Sequence, residues 1–216
     1  MNGLIALMGG SGAGKNTIIN EILKDSYFCS KMNFIRSIKT REYRENETPG
    51  ISYIKKTICE LEHMKQTGEL LEYNEYKDPH THQVVGKYGT SIDEVKKVLA
   101  TTHGIKELDP KGFTQLLQRE SLLDFPIKGI YVQVSNIETL QERIMERDPH
   151  INKKELSSRL TIAQQEQEII KGIQTHHQHY GHYQYELLTI IDNSQDIDIA
   201  VKTTKKTLLD FFKTII

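Results

Sequence analysis

Short apolar runs alternate along the chain with longer segments in which apolar residues recur at helical spacing. The short runs are bounded by glycine or polar residues, which is typical of buried strands. Strands are predicted at residues 4–8, 104–108, 129–134 and 187–191. Helical periodicity begins just after residue 15 and returns at 92–99, 137–147, 154–172 and 197–213. This order predicts an α/β fold, a three-layer sandwich in which a parallel central sheet lies between helices.

The segment between about residues 34 and 90 has a different composition. It is polar, rich in tyrosine and turn-forming residues, and contains only short β-like runs. Such a segment inside an α/β chain indicates an inserted substrate subdomain. A long surface excursion would have the same composition, although loops of that length without function are uncommon.

The charges of the chain nearly cancel, with 28 basic and 29 acidic residues in 216. This balance does not indicate nucleic-acid or membrane binding. No apolar run approaches the roughly 20 residues of a membrane span, and the N-terminus lacks the layout of a signal peptide. Cys29 and Cys59 form no CxxC pair, which suits free thiols in a reducing compartment. We therefore expect one large cytoplasmic domain.

A glycine-rich loop separates the first predicted strand from the first predicted helix. Gly9, Gly14 and Lys15 follow the phosphate-loop pattern of glycine, four residues, glycine and lysine. Glycines let several N–H groups point inward, the helix N-terminus adds partial positive charge, and the lysine reaches the outer phosphates. A flexible glycine turn is the alternative, and the flanking strand and helix argue against it. The predicted nucleotide-phosphate site, which the resemblance described below assigns to ATP, consists of Gly9, Gly10, Ser11, Gly12, Ala13, Gly14, Lys15, Asn16 and Thr17.

Asn16 stands where the phosphate-loop pattern has Ser or Thr, whose hydroxyl contacts Mg²⁺. An amide oxygen is a less usual contact for a hard cation, and the neighbouring Thr17 could take over that role. The motif therefore specifies a phosphate site and leaves open how the metal is held.

A second candidate site lies in the segment SIKTREYRENETPGISYIKK. Arg41 and Arg44 are three residues apart and lie among hydroxyl-bearing side chains, which suits an oxyanion with several oxygens. Taken alone, the segment could also be a solvated basic turn, because three interleaved glutamates could neutralise the arginines. Composition does not separate these two interpretations.

The arrangement of motifs resembles guanylate kinase. The phosphate loop GGSGAGKNT comes first, and GELLEY, KYGTS and ELDPKG follow the second site in matching order and approximate spacing. The similarity continues through RIMERDPHINKKELSSRL and covers most of the chain. The phosphate loop is shared by a large superfamily, whereas the second-site run followed by YGT is specific. That run consists of Ser37, Thr40, Arg41, Arg44, Glu47, Gly50 and Tyr53.

The resemblance implies a P-loop nucleoside monophosphate kinase fold with three regions in a single domain, 1–216. The regions are a core at about 1–33, 91–136 and 160–216, a small mixed β insertion that binds GMP at about 34–90, and a helical lid at about 137–159. The implied reaction is phosphoryl transfer from Mg·ATP to GMP, giving ADP and GDP. Mg²⁺ is expected mainly through ATP, with further contacts from Asn16, Thr17 and, through water, Glu107.

The resemblance also implies which residues bind GMP. The phosphate is assigned to Ser37, Arg41, Arg44, Tyr53 and Tyr88. Glu72 and Thr90 are assigned to the guanine edge, since a carboxylate accepts from N1–H and the exocyclic amine, groups that adenine does not present in that arrangement. A buried polar mismatch is costly, so such a site discriminates strongly. The alternatives are that Glu72 is an exposed strand residue and Thr90 an N-cap.

The predicted lid carries arginines that suit an anionic partner. Arg143 and Arg147 are four residues apart on one helical stripe, which is mildly destabilising unless acidic neighbours or a ligand relieve the repulsion. By resemblance, Arg147 and Arg159 match lid arginines that reach the transferring phosphoryl group, and Arg143 matches less well. The implied catalytic set is Lys15, Arg41, Arg147 and Arg159.

Two departures from the family pattern lie near the acceptor site. In ELDPKG, Glu107 replaces the usual first Asp and Lys111 replaces the usual Gln. Glu107, assigned to GMP and to a metal-bound water, therefore reaches further by one methylene. Residues 76–86 lengthen the separation between Glu72 and Tyr88, and we interpret them as an extended hairpin.

Two further departures lie toward the C-terminus. The run HHQHYGHY, residues 176–183, matches no structural zinc spacing and is interpreted as a polar helix end and loop. The run IIDNS has Asp192 and Asn193 in the reverse of the family order, so adenine contacts are left unassigned.

Three functions are open from the sequence. The first is guanylate kinase activity, with ATP and GMP as ligands, in a monomer or homodimer without nucleic-acid or membrane partners. The second is a divergent kinase for another phosphorylated small molecule, against which Glu72 and Thr90 argue. The third is a catalytically inactive guanylate-kinase-like binding module, against which the intact loop with Lys15 and the lid arginines argue.

Overall fold

The computed structural model describes residues 1–43, 50, 52–77, 83–119, 123–180 and 186–215, without the side chains of 176–180. The strands are β1 (Leu4–Met8), β2 (Met32–Phe34), β3 (Ser37–Lys39), β4 (Tyr53–Lys55), β5 (Leu70–Lys77), β6 (Val84–Ser91), β7 (His103–Glu107), β8 (Ile127–Gln133) and β9 (Leu188–Asp192). The helices are α1 (Lys15–Leu23), α2 (Ser26–Lys31), α3 (Ile58–Gln66), α4 (Ile92–Leu99), α5 (Pro110–Gln118), α6 (Ile137–Arg147), α7 (Lys153–Tyr180) and α8 (Ile197–Thr214).

The central sheet has five strands in the order β2-β7-β1-β8-β9, and every neighbouring pair is parallel. Alternate residues of β1 enter two different cores: Ile5 and Leu7 face one side, and Leu4, Ala6 and Met8 face the other. The first core is closed by α1, α6 and α8, and the second by α4, α5 and much of α7. The predicted three-layer α/β sandwich is therefore confirmed.

The middle of this sheet is also where ligands bind in such folds. β2 and β7 lie on one side of β1, and β8 and β9 lie on the other. The direction in which the chain adds strands to the sheet therefore reverses at β1. Open parallel sheets bind ligands in the crevice outside the carboxyl ends of the strands at such a point. The loop after β1 lies at this crevice.

A second sheet is formed by the segment between β2 and α4, in the order β4-β3-β6-β5. The β3–β4 pair is parallel and the other two pairs are antiparallel, so the sheet is mixed, as predicted for this insertion. α3 covers one face of it, where Leu61 packs with Ile38 and Leu70. The predicted extension of the hairpin is confirmed at its base, since Lys77 pairs with Val84, while 78–82 are outside the described residues.

Three helices were absent from the sequence-based prediction, namely α2, α3 and α5. Each one begins with a side-chain cap: Asp25 accepts from Tyr27 N, Asp109 accepts from Gly112 N, and Thr57 forms a reciprocal capping box. The sequence shows these caps as an Asp, or as the pattern T-x-x-E, at the start of the helix. An analysis of apolar periodicity alone does not detect them. Only α2, with six residues, is too short for a clear apolar period, whereas α3 and α5 have nine residues each, as many as α1.

α7 continues beyond the periodic stretch at 154–172 to Tyr180, which agrees with the interpretation of the beginning of the histidine-rich run as a helix end. The histidine-rich run overlaps the end of this helix, but its side chains from 176 onward and all of 181–185 lie outside the described residues. Within the described ranges, no helix is both long and apolar enough to cross a membrane.

His103 lies buried at the first residue of β7. Its Nδ1 accepts a hydrogen bond from Gly3 N at 3.1 Å, and its ring stacks on Phe212 with centroids 3.9 Å apart. Burial lowers the pKa of His103 to about 4, and the N-terminal amine and Lys31 act in the same direction. The folded protein therefore holds this imidazole in its neutral form.

We expect the stability of the protein to fall as the pH is lowered from about 6.5 to about 4. In that window the unfolded chain binds a proton at His103 and the folded chain does not, so the free energy of unfolding decreases by up to about 3 kcal/mol. Urea unfolding at pH 7 and pH 5 measures this. His103→Gln, which keeps an acceptor and does not titrate, should show a smaller pH dependence, and an equal dependence would contradict the assignment.

Candidate active site

The loop between β1 and α1 has the geometry of a phosphate-binding loop. Gly14 is the N-cap of α1 with a left-handed φ of 92°, and no side chain caps the helix. The first N–H groups of α1 are thus available to an anion, and the helix dipole adds to the attraction. Asn193, just after β9, donates from Nδ2 to Ala13 O at 2.8 Å and so braces the loop.

Gly14→Ala should damage both the loop and its brace. A Cβ at residue 14 would lie 2.4 Å from Asn193 Nδ2, in a backbone conformation that alanine rarely adopts. We expect the free energy of unfolding to fall by about 1 to 3 kcal/mol and the Kd for ATP to rise at least about tenfold. Denaturant unfolding and ATP titration measure these effects.

Gly172→Ala is the matched control for this substitution. Gly172 lies inside α7 with nothing within 4 Å of the added Cβ, so alanine should raise stability by up to about 1 kcal/mol. A Gly14→Ala protein as stable as this control would show that the Asn193 brace does not need the glycine.

Lys15 is the first residue of α1, and its Nζ donates to the carbonyl oxygens of the first two glycines of the loop. Burial lowers the pKa of Lys15, the charges of Glu107 and Glu166 oppose that effect, and Arg147 adds to it. The ammonium thus lies inside the loop, with carboxylates of β7 and α7 nearby. Contact of Lys15 with nucleotide phosphates stays a prediction from the sequence.

Glu166 is a site residue that the sequence analysis missed. It lies on α7, near the point where that helix crosses the loop. The helix and the loop are so close there that a Cβ added to Gly10 would be 2.9 Å from the Cβ of Ala163. Its Oε2 is buried and, in the part of the chain that the structure describes, has no hydrogen-bond partner. Burial raises the pKa of Glu166 to about 7, against the charge of Lys15. The one feature of the sequence that could have indicated Glu166 is its position two helical turns after Arg159, on the same face of the helix.

Oxygen donors that suit a hard divalent cation surround this loop. Asn16 and Thr17 are exposed in the first turn of α1, and Glu107 lies at the carboxyl end of β7. The unpartnered carboxylate oxygen of Glu166 adds a fourth candidate. Mg²⁺ prefers such oxygen ligands together with substrate phosphates, so the residues fit a metal that arrives with the nucleotide.

The lid arginines differ in what they contact. Arg147, at the end of α6, donates to Ser11 Oγ of the loop at 2.8 Å. Arg159, on α7, contacts Asp148 at 3.4 Å and Glu155 at 2.5 Å. Arg143 donates to the carbonyl oxygen after β9 at 2.8 Å. The structure therefore brings Arg147 to the loop after β1 and holds Arg159 among acidic residues of the segment predicted to be a lid.

Glu72 and Thr90 meet across the β5–β6 pair, in register with each other. Thr90 Oγ1 donates to Glu72 Oε1 at 2.6 Å, and Asn74 Nδ2 donates to Glu72 Oε2 at 3.2 Å. Glu72 is 5% exposed and Thr90 is 1% exposed. The alternative of an exposed strand residue is therefore wrong for Glu72, and the N-cap of α4 is Ser91 rather than Thr90.

Burial raises the pKa of Glu72, and the charge of Lys106 and the hydrogen bond from Thr90 hold that rise back. Lys106 itself was not singled out in the sequence, where its β7 position looks like part of an apolar strand. A buried carboxylate with a cation beside it keeps acceptor capacity for N–H donors.

Of the residues predicted for the GMP phosphate, Ser37, Tyr53 and Tyr88 lie on the face of the second sheet opposite to that of Ile38. Ser37 pairs with Tyr53 across β3 and β4, and Tyr88 pairs two residues further along β3, so their side chains lie on one face. Arg41 Nε donates to Tyr88 Oη at 2.5 Å, and its guanidinium lies 5.9 Å from the Tyr53 ring centre. Arg44 lies outside the described residues.

Asp109 connects the second sheet to the central one, a role that sequence reasoning also missed. Besides capping α5, it accepts from Asn74 Nδ2 at 3.2 Å and from Tyr76 Oη at 2.7 Å. Tyr76, at the start of the lengthened hairpin, also meets the Tyr88 ring edge-on at 4.9 Å. The insertion at 76–86 thus begins beside Tyr88, one of the residues predicted to bind GMP.

The family model for guanylate kinase matches residues 1–210 of the chain. The chain belongs to the guanylate kinase family. It is 30% identical over 211 residues to the guanylate kinase of Mycoplasmoides gallisepticum (strain R(low / passage 15 / clone 2)), covering 97% of this chain and 93% of that protein. The resemblance inferred from the motifs is therefore confirmed.

The fold agrees with that of a solved structure at lower sequence identity. The crystal structure of guanylate kinase from Anaplasma phagocytophilum matches 97% of this chain and 85% of its own, with a TM-score of 0.62 at 18% identity. At this identity the likeness shows the fold alone. The α/β core and the mixed second sheet are thus shared with the family.

Proposed function

We propose that the protein transfers the terminal phosphoryl group of Mg·ATP to GMP, giving ADP and GDP, in cytoplasmic purine nucleotide metabolism. One observation supports this most: in a guanylate kinase family chain, a glycine-rich loop containing Lys15 accompanies a second sheet that carries a buried Glu72–Thr90 pair. The first feature suits the donor nucleotide and the second suits a guanine acceptor.

The donor phosphates would bind at the N-terminus of α1. The backbone N–H groups of the loop hold the phosphates, and the Lys15 ammonium, now on the loop carbonyls, would turn to the outer ones. The acceptor is already an anionic phosphate, so the protein needs no strong base. Alignment and positive charge around the equatorial oxygens supply the catalysis.

The acceptor would bind across the second sheet. Glu72 would accept hydrogen bonds from N1–H and the exocyclic amine of guanine, with Thr90 orienting its carboxylate. The phosphate would lie against Ser37, Arg41 and Tyr88, on the face of the sheet described above. The pocket thus separates recognition of the base from recognition of the phosphate.

The segment of about 137–159 would act as the lid. Arg147 already contacts the loop at Ser11, so a small movement would place it on the transferring group. Arg159 would have to exchange Asp148 and Glu155 for substrate. Closure would exclude water, which would otherwise hydrolyse ATP.

Mg²⁺ would be held by the nucleotide phosphates together with Asn16, Thr17, Glu107 and Glu166. When bound, the metal supplies positive charge that stabilises the phosphates during transfer. The departures at Asn16 and Glu107 keep oxygen atoms at these positions, so a metal site is chemically compatible with this chain.

The test is ADP release with Mg·ATP against a panel of acceptors: GMP, dGMP, AMP, CMP, UMP and phosphorylated ribose. We expect rapid turnover that depends on GMP. Turnover with another acceptor and none with GMP would instead identify a divergent kinase. No turnover with any acceptor, together with a failure to bind ATP, would identify a binding module.

A further inference from the structure

Lys106 is a buried cation in the middle of the protein whose role the family assignment leaves open. It lies on β7 opposite Ala6 of β1, and it is 2% exposed. Its neighbours on this face of the central sheet belong to the apolar core that includes Ala6 and Ile35. Lysine is almost never fully buried unless a partner compensates for the lost hydration.

The partner of the Lys106 ammonium is a predicted phosphate ligand. Nζ donates to Ser37 Oγ, the hydroxyl at the start of β3. An ammonium group has donors only, whereas a hydroxyl has one donor and two lone pairs. Ser37 must therefore accept from Lys106, and its own proton stays available for an acceptor on the other side.

The charge of Lys106 also acts on the base end of the pocket. It opposes the effect of burial on Glu72, and the carboxylates of Glu72, Glu107 and Glu94 in turn stabilise the ammonium. Glu94 is already engaged by Arg36 through two hydrogen bonds, at 2.6 and 2.9 Å. Lys106 thus lies between the residues assigned to guanine and those assigned to the acceptor phosphate.

A purely structural role explains this arrangement poorly. A buried ion pair gives back little more than its desolvation cost, and apolar replacements of similar volume are often neutral or stabilising. The stem of Lys106 packs among apolar residues of the central sheet, and its ammonium reaches Ser37 and the buried carboxylate of Glu72. A lysine there has a use if an anion comes to the pocket.

We propose that Lys106 is a positioning residue for the acceptor: it orients the Ser37 hydroxyl as a donor to the acceptor phosphate and adds positive charge beneath it. This inference rests on the proposed function, because the phosphate is that of the GMP acceptor. The donor nucleotide, bound at the loop after β1, is not part of the Lys106 contact.

The test compares Lys106→Met, Ser37→Ala and the double variant in steady-state assays with Mg·ATP and GMP. A charge-assisted contact predicts that Lys106→Met raises the KM for GMP about 10- to 100-fold and leaves the KM for ATP and kcat within about threefold. Because Lys106 acts through Ser37, the double variant should lose at most about threefold more than Lys106→Met alone.

Lys128→Met is the matched control. Lys128 is also a buried lysine of the central sheet, on β8, but its Nζ donates to Glu186 O and Thr189 Oγ1 at the opposite edge. Lys128→Met should leave the KM for GMP within about twofold of the wild-type value, even if it changes the stability of the protein. If Lys106→Met does not fold, Lys106→Gln, which keeps a donor without the charge, is measured in the same way.

The outcomes separate this inference from the proposed function. A wild-type protein that does not use GMP would overturn the proposed function, and the inference with it. Wild-type turnover together with an unchanged KM for GMP in Lys106→Met would overturn the inference alone. Equal increases in the KM for GMP and for ATP would also overturn it, because they would indicate a general structural effect.

Discussion

Replacing Lys15 with alanine is expected to lower kcat at least about 10²- to 10³-fold, because it removes a preorganised cation from the transferring phosphoryl group. Its Nζ lies inside the phosphate loop, and no other lysine in the described part of the chain contacts that loop's carbonyl oxygens. Binding of GMP should stay within about threefold of wild type, since the acceptor pocket is built on the second sheet. The measurements are steady-state kinetics and titration of GMP.

The control for this substitution is Lys24→Ala. Lys24 follows the same helix, is mostly exposed and forms an ion pair with Glu21 at 2.6 Å, so its removal should change kcat by less than about twofold. Turnover of Lys15→Ala near the wild-type rate would remove Lys15 from the catalytic set.

Replacing Glu72 with glutamine is expected to lower kcat/KM for GMP about 10²- to 10³-fold. One carboxylate oxygen becomes an NH₂ group, which faces a guanine N–H donor in a buried pocket and leaves both groups unsatisfied. The hydrogen bond from Thr90 at 2.6 Å fixes the orientation of the side chain, so it has little freedom to turn away. Acceptor kinetics with GMP and AMP measure the loss and the change in preference.

Glu75→Gln is the control on the same strand. Glu75 points to the opposite side of β5 and is exposed, where it accepts from Tyr73 Oη at 2.7 Å. It should leave kcat/KM for GMP within about twofold. If Glu72→Gln kept the wild-type preference for GMP, the guanine edge would have to be recognised elsewhere in the pocket.

Repeating local patterns made the core predictable. The bounds of β1, α4 and α6 agree with the sequence-based prediction, because an unbroken apolar run or a 3.6-residue period is a property of a few consecutive residues. α2 has only six residues, too few for a clear period, and the longer α3 and α5 were missed although they exceed α4 in length; the caps that begin these three helices are single residues or short motifs. These helices are ordered by capping and by packing on the sheets.

The acceptor pocket was predictable only as a set of residue types. The pairing of Glu72 with Thr90 depends on a register shift in the β5–β6 ladder between Leu70 and Glu72. A shift of one residue would move every side chain of the strand to the other face, and no local pattern specifies it. The burial on which the proposed selectivity of Glu72 depends is thus a property of the folded sheet.

The sequence by itself determined the phosphate loop, the α/β order of the core and the family, because these depend on the spacing of neighbouring residues. The tertiary structure decided which distant side chains meet: Glu166 at the loop and Lys106 at Ser37. Those contacts join positions far apart in the chain, and their geometry is set by the parallel register of β2 against β7 and by the crossing of α7 over the loop. Long-range packing of this kind has no signature in a single stretch of sequence.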